Sequence, residues 1–318
     1  MSSQFNIESN SNKKNKPVKS IILLFIDGIG FGSKDRGKNP FSRYESEFFG
    51  PLGGRLSLPV SGSLLETDAT LGVEGIPQSG TGQTAIFTGY NASEIMGRHA
   101  AGFPPFTLRP YLRNESILKK FVDNGFLATL ANAYTHHYYD RIKGPRGERF
   151  MSASTMIQLG AGLELLNLDD LKAGRAIFMD LTHWFLRTLV PELKLIPAKE
   201  CGRNLVQIAR NYDLIVYEYF FPDRCGHEGD MLDARKTLRQ MDEFLSGIWE
   251  ELDPEKESIV ICSDHGNFED LSHGTHTMNK IPTFLYGELE DYLKTRINTL
   301  YDIPRAIMDY MGIEYSIP

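Results

Sequence analysis

Ser258-Ile259-Val260-Ile261-Cys262-Ser263-Asp264-His265-Gly266-Asn267 runs from an apolar, β-branched segment straight into a carboxylate and an imidazole. A short continuous apolar run closed by a turn residue predicts a strand buried on both faces of an open α/β sheet. In such sheets the chemistry collects just beyond the carboxyl ends of the strands, where Asp264 and His265 stand. Two distant segments repeat the pattern. Ile21-Ile22-Leu23-Leu24-Phe25-Ile26 delivers Asp27-Gly28, and Asp213-Leu214-Ile215-Val216-Tyr217 leads on to Asp223-Arg224-Cys225-Gly226-His227. His276 follows in Gly274-Thr275-His276-Thr277, eleven residues after His265. Strands at 20 to 26, 213 to 219 and 258 to 263 alternate with helical patterns such as Leu232 to Leu252. This alternation predicts an α/β fold, a mostly parallel sheet sandwiched by helices.

The stretch from 93 to 195 has another texture. It holds Pro104-Pro105, the cluster Tyr134-Thr135-His136-His137-Tyr138-Tyr139, and Arg141, Arg146 and Arg149 close together. It is expected to be a smaller inserted cap that interrupts a catalytic core formed by 19–92 and 196–318. Residues 1–18, rich in Ser, Asn and Lys, lack the apolar run of a signal peptide or anchor and are expected to be a disordered tail.

Composition narrows the function classes. With 318 residues and 41% hydrophobic content, the chain can build a sizeable core. Its 34 basic and 41 acidic side chains give a formal charge of −7, which argues against a nucleic-acid surface or a polybasic membrane patch. No stretch reaches the roughly 18 apolar residues that span a bilayer. Cys201, Cys225 and Cys262 form no CxxC pair, which fits a reduced, cytoplasmic protein.

Asp223 and His227, four residues apart, together with His276 make a three-ligand metal site with an open position. Asp27, Asp264, His265 and one hydroxyl make a second. Adjacent Asp264 and His265 would point to opposite faces of a continuing strand, but Gly266 lets the chain turn there. Mixed carboxylate and imidazole donors suit Mn²⁺ or Zn²⁺ better than Ca²⁺, with Mg²⁺ possible but less favoured. Two such ions about 3.5–4 Å apart clamp the attacking and leaving oxygens of an in-line displacement. The hydroxyl comes from Pro77-Gln78-Ser79-Gly80-Thr81-Gly82-Gln83-Thr84, where Ser79 and Thr81 both qualify. Each piece alone has a plainer reading. Asp27-Gly28 is an ordinary turn, the arginines are solvated, His136 and His137 support the cap, and Cys225 and Cys262 pack. Order and co-occurrence favour the metal reading.

Taken in order, Asp27, the Ser79 turn, Asp223-x-x-x-His227, Asp264-His265-Gly266-Asn267 and His276-Thr277 resemble the alkaline phosphatase superfamily. Within it they are most similar to the branch of cofactor-independent phosphoglycerate mutase and phosphopentomutase, especially through Ser263 to Glu269 and His276 to Pro282. The resemblance implies Asp223, His227 and His276 on one ion, with Asp27, Asp264, His265 and the nucleophile on the other. It also implies a nucleophile ten residues before the glycine closing its helix. Counting back from Gly89 gives Ser79, with Gly82 three residues later and Thr81 as second choice. The chain departs from the mutase pattern at Gly80 and Gln83, where an acidic residue and a histidine are expected, and it lacks the Pro and Arg of sulfatases.

The resulting expectation is phosphoryl transfer through a phosphoserine, most simply hydrolysis of a small phosphomonoester or phosphodiester. A phosphomutase is the alternative. A metal-stabilised binding protein without turnover comes third. Arg141, Arg146 and Arg149 are the expected substrate contacts.

Overall fold

Every residue from Ile21 to Ile26 is buried, as a strand covered on both faces must be. The computed structural model describes residues 20–54 and 61–315, so the tail expected at 1–18 lies outside the described residues. β1 (Ser20–Ile26) lies centrally, paired in parallel with β6 (Leu214–Tyr219) on one side and β7 (Glu257–Cys262) on the other. Ile22 faces Ile215 and Ile259 across these ladders. β3 (Ala128–Leu130) adds a third parallel pairing outside β6. β8 (Ile281–Tyr286) and β2 (Ser63–Thr67) close the other edge as antiparallel strands. The order β2-β8-β7-β1-β6-β3 gives a mixed, mostly parallel six-stranded sheet, as the apolar runs predict.

The period-2 alternation of strands separates two cores. Ile21, Leu23, Phe25, Val216 and Val260 pack on one face with Phe87, Leu118, Phe121 and Ile157, carried by helices Ser79–Thr88, Ile117–Asp123 and Ala153–Gly160. Ile22, Leu24, Ile26, Tyr217 and Ile259 pack on the other with Leu205 and Phe244, from helices Ala198–Ala209 and Met231–Glu251. The last of these covers the helical pattern read from Leu232 to Leu252.

The segment 93–195 is distributed over the fold. β3 belongs to the main sheet, and helices Ile117–Asp123 and Ala153–Gly160 belong to its first core. A smaller cluster around Ala133, Ala176, Phe178 and Leu186 stands apart, near the two-stranded parallel sheet of β4 (Ala133–Tyr134) and β5 (Leu166–Asn167). The strand Ala128-Thr129-Leu130 is too short and too poor in β-branched residues to stand out in a sequence. No helix among the described residues is long and apolar enough to cross a membrane.

Candidate active site

Because β1, β6 and β7 run parallel, their carboxyl ends share one edge, and the acidic residues beyond them converge there. Asp27 extends the β1–β6 ladder by one bond, its N–H donating to the Tyr219 carbonyl at 3.0 Å. Gly28 then turns the chain at φ +76°, a conformation that favours glycine, and a side chain there would meet the Asp223 Cβ at 2.6 Å. Asp223 and His227 lie on helix Phe221–Glu228, where a spacing of four puts them on one face. Strand β7 ends at Cys262, so Asp264 and His265 sit in a turn that brings both to the same cluster.

His265 is the centre of that cluster. Its Nε2 lies 2.9 Å from Ser79 Oγ, 3.4 Å from Asp27 Oδ1 and 3.5 Å from Asp264 Oδ2. The His276 ring stacks on it with centroids 3.6 Å apart, and His276 Nε2 is 3.5 Å from Asp223 Oδ1. His227 stands at the more exposed rim, 3.4 Å from Asp223 Oδ2. The structure thus brings together all seven expected residues: Asp27, Ser79, Asp223, His227, Asp264, His265 and His276. The tightest groupings are Asp27–Asp264–His265 and Asp223–His265–His276, so His265 lies between the two expected ion positions.

Several features fit divalent cations. Asp27 Oδ1, both Asp264 oxygens and His265 Nδ1 are buried with no hydrogen-bond partner among the described residues, although buried polar groups are normally satisfied. His227 Nδ1 faces the Gly274 carbonyl at 2.9 Å and His276 Nδ1 the Pro77 carbonyl at 3.0 Å. A carbonyl only accepts, so each Nδ1 carries a hydrogen and each Nε2 points inward, offering a lone pair when the imidazole is neutral and a second hydrogen when it is charged. Those two Nε2 atoms are 3.2 Å apart, a contact that needs a proton or a metal ion near it.

Without a cation the cluster is electrostatically frustrated. Burial, then the Asp264 and Asp223 charges, raises the Asp27 carboxyl well above its usual range. Burial pushes the Asp223 carboxyl up as well, but the His276 hydrogen bond and the neighbouring histidines outweigh it and bring it down to about 2. Burial lowers the His265 imidazole. Burial also acts to lower His276, yet its Asp223 partner carries it above the ordinary value.

Ser79 is the first residue of helix Ser79–Thr88, whose N-terminus has no side-chain cap and whose C-terminus closes on Gly89 at φ +78°. Its first-turn amides are therefore available to an anion. Thr81 is fully buried, and its hydroxyl donates to the Gln78 carbonyl at 3.1 Å while accepting the Ala100 N–H at 3.3 Å. Of the two candidate hydroxyls, Ser79 reaches the cluster. Gly82 permits the close approach, since a Cβ there would lie 2.9 Å from the Asp264 Cβ and carbonyl oxygen.

Residues without an assigned role in the sequence reading hold the ligands in place. Glu269 accepts from Gly30 N and Asn267 N at 2.9 Å, from Thr277 Oγ1 at 2.5 Å and from Asn279 Nδ2 at 3.0 Å. One buried carboxylate thereby ties together the loop after β1, the turn after β7 and the His276 segment. Asn267 Nδ2 donates to Asp223 Oδ1 at 2.7 Å, and Gln83 Nε2 donates to Asp27 Oδ2 at 3.1 Å. The unbroken run Ser263 to Glu269 was the only sequence signal for the first two. Of the three arginines, Arg141 lines the cavity beside the cluster; Arg146 and Arg149 are exposed and do not.

A family model described as the metalloenzyme superfamily matches residues 194–315. The 2,3-bisphosphoglycerate-independent phosphoglycerate mutase of Paracoccus denitrificans is 33% identical over 134 residues, covering 40% of this chain and 26% of that protein. The enzyme of the same name from Desulforudis audaxviator is 29% identical over 131 residues, 39% of this chain and 25% of that one. The chain thus spans about a quarter of the length of these curated relatives. In fold it is similar to the alkaline phosphatase of the Antarctic bacterium TAB5, with a TM-score of 0.50 at 12% identity over 94% of this chain and 99% of that one. It is also similar to the PH0037 protein of Pyrococcus horikoshii, with a TM-score of 0.53 at 12% identity over 95% and 99%.

Proposed function

From its match to the metalloenzyme superfamily model and its alkaline-phosphatase-like fold, we propose that this chain hydrolyses a small phosphomonoester or phosphodiester through a phosphoserine at Ser79. The observation that carries the reading is the 2.9 Å approach of Ser79 Oγ to His265 Nε2, inside a cluster where Asp27 Oδ1 and both Asp264 oxygens are buried with no hydrogen-bond partner among the described residues. Divalent ions held by Asp27, Asp264 and His265 and by Asp223, His227 and His276 would neutralise these carboxylates, acidify the serine hydroxyl and polarise phosphoryl oxygens. Mn²⁺ or Zn²⁺ suits this donor set better than Mg²⁺.

Ser79 Oγ forms the new bond to phosphorus while the bond to the leaving oxygen breaks. The serine loses its proton and the departing oxygen gains one. The uncapped amides of the Ser79 helix face the transferring oxygens, where preorganised donors stabilise developing charge. Asn267 and Gln83 keep Asp223 and Asp27 from moving as that charge develops, and Glu269 braces the loops around them. Water then attacks the phosphoserine, releasing phosphate and restoring the hydroxyl. The small core around Ala133 and Phe178 serves as the cap that holds the organic part of the substrate.

A phosphomutase is the second reading, favoured by the partial similarity to phosphoglycerate mutases, 33% identical over 134 residues. Phosphate release and isomer conversion, followed together on phosphomonoesters, diesters and sugar phosphates with Mn²⁺ or Zn²⁺, separate the two. Release that disappears in Ser79→Ala supports the hydrolase. Conversion without release replaces it with the mutase, and inertness toward the whole panel would favour the non-catalytic binding protein.

A further inference from the structure

The cavity beside Ser79 measures about 710 Å³, within the range of cavities that enclose small organic ligands. Asp27, Ser79 and Asp223 form its reacting side. The remaining wall is made largely by Phe103, Tyr134, Phe178, Met179, Phe185 and Phe220. Phe103 and Leu189 at its rim are 50% and 56% exposed, apolar surface that is open to a ligand. Polar side chains such as Thr135, His137, Arg141 and Ser152 cover far less of the cavity than these rings, so a ligand made mostly of hydroxyls and carboxylates would leave many of its polar groups unpaired, and unpaired polar groups are costly to bury. An aromatic or aliphatic body gains from the same wall.

One acidic side chain interrupts that wall. Glu218 on β6 is buried and lines the cavity. Asn132 fixes its backbone from both sides, donating to the Glu218 carbonyl at 2.8 Å and accepting its N–H at 2.9 Å. Ser154 Oγ donates to Oε2, and Oε1 has no partner among the described residues. The two arginines of the cavity do not neutralise it: Arg224 pairs with Glu228 at 2.8 Å, and Arg141 lies over the Phe150 ring at 4.1 Å. A buried carboxylate with a spare oxygen in an aromatic pocket is complementary to a hydrogen-bond donor on an otherwise apolar ligand.

We propose that the leaving group of the substrate is an aromatic or aliphatic alcohol that also carries a hydroxyl or ammonium donor, which Glu218 accepts. The proposal rests on the reading of Ser79 as the site of phosphoryl transfer. Burial raises the Glu218 carboxyl to about 7, so it still presents a charged acceptor in half or more of the molecules at neutral pH and above.

The test uses free alcohols, so it needs no turnover. Binding of 4-ethylphenol, 4-(2-hydroxyethyl)phenol, 4-(2-aminoethyl)phenol and glycerol to the full-length protein in Mn²⁺ buffer is measured by ligand-observed NMR. The two donor-bearing phenols should bind about tenfold more tightly than 4-ethylphenol, the gain of a hydrogen bond to a charged group, and glycerol most weakly. A gain confined to the aminoethyl arm identifies an ammonium; one confined to the hydroxyethyl arm identifies a hydroxyl. Glu218→Gln keeps the shape of the side chain and should reduce an ammonium preference most. Phe103→Ala, on the exposed rim where folding is not at stake, should weaken all three phenols together. Equal affinity for the three phenols, or glycerol binding as well as they do, overturns the proposal. Phenols that bind as expected to a protein that releases no phosphate from phenyl phosphate would instead overturn the catalytic reading.

Discussion

Ser79 Oγ and His265 Nε2 approach to 2.9 Å although 186 residues separate them in the chain. One is the first residue of a helix and the other lies in the turn beyond β7, so the packing of that helix on the sheet brings the proposed nucleophile to the cluster. Replacement of Ser79 by Ala should leave the fold intact and reduce metal-dependent phosphate release by at least about 10³-fold, since removing a nucleophile removes the covalent route. Steady-state rates with thermal melts on both proteins check this. A variant with more than a tenth of the parent rate would show that another group attacks.

Asp264 is buried with neither oxygen hydrogen-bonded among the described residues, and its charge is among the causes that push the Asp27 carboxyl up. Asp264→Asn is therefore expected to make the metal-free protein more stable, by about 1–2 kcal/mol, because an uncompensated buried charge is removed. The same change should abolish the gain on adding Mn²⁺ or Zn²⁺, which for the parent is about 2.7 kcal/mol at a hundred times Kd. Denaturant melts with EDTA and with metal test both halves. A less stable metal-free variant would contradict the frustrated site.

Glu269 touches no expected ion position yet braces three segments that carry ligands. Glu269→Ala should weaken metal affinity by about 10–100-fold, as losses of supporting hydrogen bonds around metal sites do. Metal titration by calorimetry provides the readout, with Glu269→Gln retaining part of the affinity. Unchanged affinity would reduce Glu269 to a packing role.

Glu218 gives the fold a pH dependence of defined sign. Burial moves its carboxyl from 4.5 to about 7, so between these values the folded chain binds more protons than the unfolded one. Its contribution to stability is complete below pH 4.5 and declines as pH rises to about 7, by about 3 kcal/mol in all. Glu218→Gln should therefore gain on the parent across this interval. Urea melts from pH 4.5 to 8 would show parallel curves if the side chain titrated normally.

Arg141 lines the cavity while Arg146 and Arg149 are exposed away from it. Arg141→Ala should raise KM for an active phosphoester by about threefold to tenfold, within the modest range of an exposed charge. Arg146→Ala and Arg149→Ala should leave kcat/KM unchanged. Equal losses in all three variants would restore the whole cluster as a substrate loop.

Much of the candidate site was legible because its acidic and imidazole side chains follow strands that announce themselves. Ile21 to Ile26 and Ser258 to Cys262 are apolar throughout, and a run of that kind leaves little choice but a buried parallel strand with its ligands at the carboxyl end. Asp27 and Asp264 followed from that, and the spacing of Asp223 and His227 from helix periodicity. The choice between Ser79 and Thr81 was less secure, since both hydroxyls sit in the same turn and only side-chain direction separates them. The segment 93–195 was hardest to parse. Its strand Ala128–Leu130 carries little pattern, and its contribution to the main sheet depends on a neighbour, β6, about 86 residues away in sequence.

The sequence by itself determined the three central strands and the order of the candidate ligands beyond them, because strand burial and helix spacing are local properties of the chain. Only the tertiary structure decided that His265 belongs to both candidate ligand groups, that Gln83 and Asn267 hold Asp27 and Asp223, and that Glu218 enters an aromatic cavity. Those relationships depend on where different strand ends meet and which way each side chain points, and no periodicity along the chain encodes a distance across the fold.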